Sequence, residues 1–401
     1  MAEYGISNVI TTYHRIMSKV TLEHVRYLYD EINWEARLIA IKGPRGTGKT
    51  TLMLQRIKKA FANIDDALYI SLDSLYFKTN TLTDIVDYAY THGIMHIFID
   101  EIHRYDDWGT ELKYIYDSYP DLYIIYSGSS LLKIDNSTAD LSRRQTVYNL
   151  EGLSFREFLA FEKVIDIPPI SIEDLLKKHT DIALKITSEL KILPLFEKYV
   201  KCGYYPFYKE AKKDYLSRLS QAVSVIIDID LPATENISYA TMNKTKKLLM
   251  VIAQRCPFVP NISQLFIELD IARDLGMKML YALERAKLIN LLTDEIKSYK
   301  HLTKPQKIFL NNTNLSYALA ERIDIGNQRE TFFLNQTSIS HSVLMPQKGD
   351  FFIDGKYLFE VGGKNKTFDQ IADVANSFLA IDGIETGHKN RIPLWMFGLM
   401  Y

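Results

Sequence analysis

Gly43-Pro44-Arg45-Gly46-Thr47-Gly48-Lys49-Thr50, followed by Thr51, reads G-x-x-x-x-G-K-T, the pattern of a loop that cradles phosphate. Ahead of it, Leu38-Ile39-Ala40-Ile41 is an apolar run of the kind that forms a buried strand. Behind it, Leu52, Leu54, Ile57, Ala60 and Phe61 recur as one face of a helix. Strand, glycine loop and helix together are the setting this loop requires. The glycines let successive N–H groups and the helix N-terminus turn toward an anion. On this reading Lys49 reaches the β- and γ-phosphates of a nucleoside triphosphate, and the Thr50 hydroxyl ligates Mg²⁺.

A second motif, His96-Ile97-Phe98-Ile99-Asp100-Glu101, is an apolar strand running into two carboxylates. The C-terminal ends of parallel strands are where open α/β sheets bind ligands. Asp100 is therefore expected to hold Mg²⁺, directly or through water, and Glu101 to polarise the attacking water.

Composition sets the bounds. A chain of 401 residues accommodates two to four domains, and its 47% hydrophobic and 24% charged content is that of an ordinary globular protein. The formal net charge of −1 offers no global basic field, so any contact with DNA must come from a local patch. Cys202 and Cys256 stand outside metal-ligand spacing, which argues against zinc sites and disulfide scaffolding. No apolar stretch reaches the ~18 residues of a membrane span, and no signal-like N-terminus is present. These features predict a cytoplasmic protein without a membrane partner.

Residues 1–34 read as helix, with Leu22, Val25, Leu28 and Ile32 facing a sheet. Strand candidates follow at Leu38–Lys42, Ala67–Leu72, Met95–Asp100, Leu122–Ser127 and Thr146–Leu150, alternating with helices. This is the pattern of a parallel sheet with helices on both faces. Residues 155–235 turn helical, interrupted at Pro168-Pro169. From about residue 241, an amphipathic helix over 244–255, a short capped helix at Asn261-Ile262-Ser263-Gln264-Leu265 after Pro257 and Pro260, a helix over 277–287 and the β-like run Leu288–Leu292 follow the plan of a winged helix-turn-helix. Lys278, Tyr281, Arg285 and Lys287 would line its second helix, with Glu268, Asp270, Asp274 and Glu284 interspersed.

The last hundred residues contain Arg329-Glu330-Thr331-Phe332-Phe333, Gly349-Asp350-Phe351-Phe352-Ile353 and Leu358-Phe359-Glu360-Val361-Gly362-Gly363-Lys364. Carboxylates on successive strands, with a lysine nearby, suggest a metal-dependent nuclease core. Such a core needs Glu-x-Lys, because alternate residues of a strand share a face. Here Gly362 stands two residues after Glu360, and Lys364 could reach back only through a bulge. A nuclease-like fold kept for binding or assembly is the expectation.

Taken together, these residues resemble the prokaryotic AAA+ ATPases that carry a winged helix and a C-terminal domain related to restriction-type nucleases. The more specific motifs are Tyr126-Ser127-Gly128-Ser129-Ser130, Leu150-Glu151-Gly152-Leu153-Ser154-Phe155-Arg156-Glu157-Phe158 and Tyr199-Val200-Lys201-Cys202-Gly203-Tyr204-Tyr205-Pro206. The resemblance implies an α/β P-loop core over 1–160, a helical lid over 161–240, a winged helix over 241–300 and a nuclease-like domain over 301–401. It implies ATP as the nucleotide with Mg²⁺ as cofactor, and no guanine-reading Asn-Lys-x-Asp follows the fourth strand. It also implies Ser127 as the polar sensor of the γ-phosphate, with Ser129 as the alternative. Arg143 or Arg144 would be an arginine finger, commonly supplied to a neighbouring copy in a homo-oligomer. The expected function is ATP hydrolysis driving a switch whose output domains act on DNA or a protein client. The alternative is an ATP-gated DNA endonuclease.

Overall fold

The computed structural model describes residues 2–129, 141, 143–232, 238–255, 262–294 and 305–401. Ser130, Cys256, Pro257, Pro260 and Asn261 lie outside the described residues, and with them the cap expected at Asn261. The chain divides into two compact units. One comprises Met1–Glu151 with Ile229–Asn236, the other Gly152–Asp228 with Ile237–Tyr401.

In the first unit, β1 (Leu38–Gly43), β2 (Ala67–Ser71), β3 (His96–Asp100), β4 (Tyr123–Ser129) and β5 (Thr146–Asn149) form one sheet in the order β2-β3-β4-β1-β5. Every pairing is parallel. Parallel strands covered on both faces are apolar along their length, and Leu38–Ile41, Ile97–Ile99 and Ile124–Tyr126 are indeed buried. The registers Ile41↔Ser127, Gly43↔Ser129 and Ser71↔Asp100 bring Gly43, Asp100 and Ser127 out at the C-terminal ends of three neighbouring strands.

The N-terminal region departs from the single helix expected over residues 1–34. A helix spans Ala2–Met17, residues 18–27 are irregular, and one turn of helix covers Leu28–Glu31. Leu22, expected to face the sheet, is exposed. The break is held by side chains of the Lys49–Ala60 helix. Gln55 Nε2 donates to the carbonyls of Thr21 and His24, both at 2.9 Å, and Lys58 Nζ donates to that of Val20 at 2.6 Å. Local hydrophobic spacing carries no trace of these distant donors, and they satisfy the carbonyls that a continuous helix would otherwise pair.

The second unit begins with helices at Phe155–Phe161, Ile172–Thr187, Ile192–Cys202 and Tyr215–Val225. Three more follow at Tyr239–Arg255, Ile262–Glu268 and Arg273–Arg285, then an antiparallel pair, β6 (Ile289–Leu292) with β7 (Lys307–Leu310). After helices at Thr313–Leu319 and Ile325–Thr337 comes a mixed sheet of β8 (Val343–Leu344), β9 (Phe351–Ile353), β10 (Tyr357–Gly362), β11 (Ser377–Ile381) and β12 (Arg391–Pro393). Its order is β12-β11-β10-β9-β8.

The two motifs in the helical region have structural reasons within this unit. Ser154 caps the Phe155–Phe161 helix in a capping box with Glu157. The Ser154 hydroxyl and Arg156 Nε also donate to the Tyr401 carbonyl at 2.7 and 2.8 Å. Tyr199 OH donates to the Leu153 carbonyl at 2.6 Å, and Leu153 N–H to that of Tyr204 at 2.7 Å. Gly152 is obligatory because a Cβ there would fall 2.3 Å from the Tyr204 ring.

Candidate active site

β1 runs into the phosphate loop. Gly46 and Gly48 adopt φ of 84° and 96°, a backbone region that glycine enters without steric cost. Gly48 caps the Lys49–Ala60 helix, so the first-turn N–H groups of that helix open onto the loop. Gly43 is required for another reason, since a Cβ there would lie 2.2 Å from the Leu150 carbonyl oxygen. From outside the motif, buried Arg26 donates Nη1 to the Thr47 carbonyl at 2.5 Å and Nη2 to the Glu151 carbonyl at 2.8 Å. Lys49 is enclosed and donates to the carbonyls of Gly43 (2.8 Å) and Pro44 (3.0 Å). Burial lowers its pKa, while the charges of Glu101, Asp100 and Asp230 act to raise it.

β3 delivers the two carboxylates. Asp100 Oδ2 accepts from the Thr50 hydroxyl at 2.7 Å and from Tyr69 OH at 2.8 Å. Asp100 Oδ1 accepts from the Ser127 hydroxyl, whose oxygen in turn accepts the Glu101 N–H at 3.2 Å. Glu101 sits at φ 54°, a left-handed conformation that costs a non-glycine residue about 1 kcal/mol. Burial pushes its carboxyl pKa up, Asp100 and Asp73 add to the rise, and Lys49 and Arg45 oppose it.

His103 follows on the next turn with its side chain only 2% exposed. Its Nδ1 accepts the Ser129 N–H at 3.4 Å, which leaves the ring proton on Nε2. Nε2 approaches Glu101 Oε2 to 3.3 Å without the alignment of a full hydrogen bond. Burial, with the cations Arg104, Lys49 and Arg45, lowers the His103 pKa to about 3, so the ring is neutral at neutral pH.

A further ring of charge surrounds the loop. Asp230, buried, pairs with Arg104 at 3.1 Å and lies 3.8 Å from Arg45. Arg104 also approaches Asp73 at 3.6 Å. An open cleft of about 520 Å³ begins beside Asp73 and Arg104 and continues past Phe77, Lys78, Tyr105 and Asp106.

Thus Lys49, Thr50, Asp100, Glu101 and Ser127 converge. Ser127 is fully buried, with its hydroxyl proton directed at Asp100. Thr51 is exposed on the helix, and Arg45 projects from the loop. Arg143 is exposed, whereas Arg144 makes a two-pronged pair with Asp117 at 3.0 and 3.2 Å. Arg26, Tyr69, His103, Arg104 and Asp230 are additions that the sequence reading did not name. His103 and Arg104 directly follow Asp100-Glu101-Ile102 and were within its reach. Asp230 and Arg26 have no local signal.

In the second unit, the lysine beside Glu360 is Lys366, at 2.5 Å, rather than Lys364. The stem of Lys364 lies beside Gly383. A turn closed by Lys366 N–H on the Gly363 carbonyl folds Lys366 back across Gly362, where any Cβ would meet its stem at 2.7 Å. Glu330 lies on the Ile325–Thr337 helix and pairs with Lys307, and Asp350 accepts the Val361 N–H at 2.8 Å. Among the described residues, no three His, Cys, Asp or Glu side chains are grouped to hold a metal ion.

The first unit's donor set fits Mg²⁺ and a triphosphate. The Thr50 hydroxyl and the Asp100 carboxylate lie side by side as hard oxygen ligands, next to an enclosed ammonium and a glycine loop capping a helix. Parallel strands, a phosphate loop and an Asp-Glu strand end in this arrangement define a P-loop nucleoside-triphosphatase fold. More particularly, residues 35–159 match the AAA domain family, so this part of the chain is similar to AAA-type ATP-binding and hydrolysis domains.

Among curated proteins, an uncharacterized protein of Methanocaldococcus jannaschii is 25% identical over 193 residues. The match covers 45% of this chain and spans 40% of that relative's length. Solved structures similar to this chain include AMPPCP-bound DnaA from Aquifex aeolicus (15% identity, 65% of this chain, 85% of that chain, TM-score 0.25). The S. cerevisiae Hsp104–ADP complex is similar at 16% identity (63% and 37% coverage, TM-score 0.26). C. elegans PCH-2 also stands at 16% identity (69% and 68%, TM-score 0.26). Overlays this loose say nothing of the second unit. No helix among the described residues is long and apolar enough to cross a membrane.

Proposed function

We propose that the chain is a Mg²⁺-dependent ATPase that works as a conformational switch. The single observation behind this reading is the shared Asp100 carboxylate, which takes Thr50 on one oxygen and Ser127 on the other, with Glu101 adjoining. Mg²⁺, when bound at Thr50 and Asp100, would neutralise charge developing on the phosphates. Lys49 holds the β- and γ-phosphates, and Glu101 orients and deprotonates the attacking water. Ser127 ties the Glu101 backbone to Asp100, so strand β4 senses any movement of the carboxylate pair. Arg143, exposed before β5, is the arginine suited to reach a neighbouring copy if the chain assembles with itself.

The output is proposed to lie in the second unit, with residues 241–300 acting as a winged helix and residues 301–401 as a nuclease-like domain used for binding DNA or a protein client. Cleavage is the weaker reading there, because Lys366 and Lys307 already place ammonium groups on Glu360 and Glu330. The test is steady-state ATP hydrolysis with Mg²⁺, with and without linear duplex DNA, and the DNA run on a gel afterwards. Turnover raised by intact DNA supports a DNA-directed switch. Turnover indifferent to DNA favours a protein client, and cut DNA that depends on Glu360 restores the endonuclease reading. An absence of turnover under every condition overturns the ATPase assignment.

A further inference from the structure

Residues 226–230 form a wide helical turn, and Asp230 at its end belongs to the first unit although the chain before residue 229 and after 236 belongs to the second. Its side chain is 3% exposed. An ionised carboxylate so enclosed is costly unless cations compensate it. Asp230 has them: Oδ1 meets Arg104 Nη2 at 3.1 Å and Oδ2 meets Arg45 Nη1 at 3.8 Å, while its charge also reaches Lys49. Arg45 and Lys49 belong to the phosphate loop itself, and Arg104 lies three residues beyond Glu101. These are the cations a triphosphate would call on. One buried carboxylate therefore faces the same charges as the phosphate oxygens.

We propose that Asp230 is an internal counter-anion of the triphosphate site, so that nucleotide binds by exchanging phosphate oxygens for the Asp230 carboxylate on Arg45 and Arg104. This rests on the reading that residues 43–50 bind a nucleoside triphosphate. Two consequences follow. The competition grows with the number of phosphates, so the residue sets affinity for ATP and leaves AMP almost untouched. The exchange also loosens Asp230 from Arg45 and Arg104, giving nucleotide a handle on a residue distant in sequence from every phosphate-binding motif. A prop has the opposite signature, because a residue that merely held Arg45 and Arg104 in place for phosphate would weaken binding when neutralised.

The test uses the full-length chain and its isosteric variant Asp230→Asn. Equilibrium titration with a fluorescent non-hydrolysable ATP analogue and Mg²⁺ should show binding tightened on the order of tenfold, with AMP affinity unchanged. Unchanged or weaker binding of the ATP analogue overturns the proposal. Should the variant fail to fold, amide hydrogen exchange of wild-type residues 226–232 decides. Faster exchange on adding the analogue supports the exchange of anions, and unchanged or slower exchange overturns it. Wild-type protein that binds no analogue, like a Lys49→Ala reference, would overturn the phosphate-loop reading along with this one.

Discussion

Lys366 places its ammonium 2.5 Å from the Glu360 carboxylate, with its stem lying across the bare backbone of Gly362. Glu360 is 1% exposed, and its Oε2 has no hydrogen-bond partner among the described residues. Lys366→Met strips that carboxylate of the cation it pairs with among the described residues and should destabilise the fold by about 3 kcal/mol. Lys364→Met should stay within about 0.5 kcal/mol of wild type. Urea unfolding of both variants makes the comparison, and equal losses would refute the pairing as a source of stability.

Lys49→Ala should abolish binding of a fluorescent ATP analogue while leaving the sheet intact. Lys49 Nζ bonds only to its own loop's carbonyls among the contacts the structure gives, so its loss costs the fold little. Titration alongside circular dichroism separates the two effects. Wild-type affinity in the variant would remove the loop from nucleotide binding.

Glu101→Gln should retain ATP and slow hydrolysis by ~10²-fold or more. In the wild type, burial raises the Glu101 pKa above its usual 4.5, and a base at this position would work only when ionised. Turnover should therefore climb with pH through a value above the ordinary carboxylate range. The stability effect has the opposite sense. The folded pKa exceeds the unfolded one, so the stabilising contribution is complete below the unfolded value and is lost as pH rises through the folded value. Glu101→Gln should consequently have a Tm at pH 7 no lower than that of wild type. A lower Tm would contradict the burial argument.

His103 titrates in the other direction. Its pKa falls from 6.5 to about 3 on folding, so its contribution to stability is present above pH 6.5 and drains away as pH falls toward 3. By pH 5 the loss should amount to about 2 kcal/mol. His103→Asn, which cannot take up a proton, should flatten the wild-type decline of stability between pH 6.5 and 5. The same variant releases the Glu101 carboxylate from its neighbour, so kcat should fall while KM for ATP holds. A fall in both parameters together would place His103 in binding instead.

The residues that could be read in advance share a property: they lie in a contiguous motif or at the end of an apolar run, whatever the distance to their partners. Gly43 to Thr50 are contiguous, the strands before Asp100 and Ser127 are unbroken apolar runs, and both follow from the chemistry of a buried parallel sheet. What stayed hidden depends on single contacts across long sequence separations. Asp230 meets Arg104 from 126 residues away. The break at residues 18–27 is stabilised by Gln55 and Lys58, which local spacing cannot anticipate. Lys366 displaced Lys364 because a turn at Gly363 reverses the chain, and a strand's alternation says nothing about a turn beyond its end.

Arg26 gives the molecule a rule for dissection. One guanidinium ties Thr47, inside the loop, to Glu151, just past β5, while the family match begins only at residue 35. A fragment cut at that border would contain every residue of the recognised motif and the whole sheet. It would lack the buckle that fastens the loop to the chain just past β5, and should therefore hold an ATP analogue less tightly than the full-length chain does.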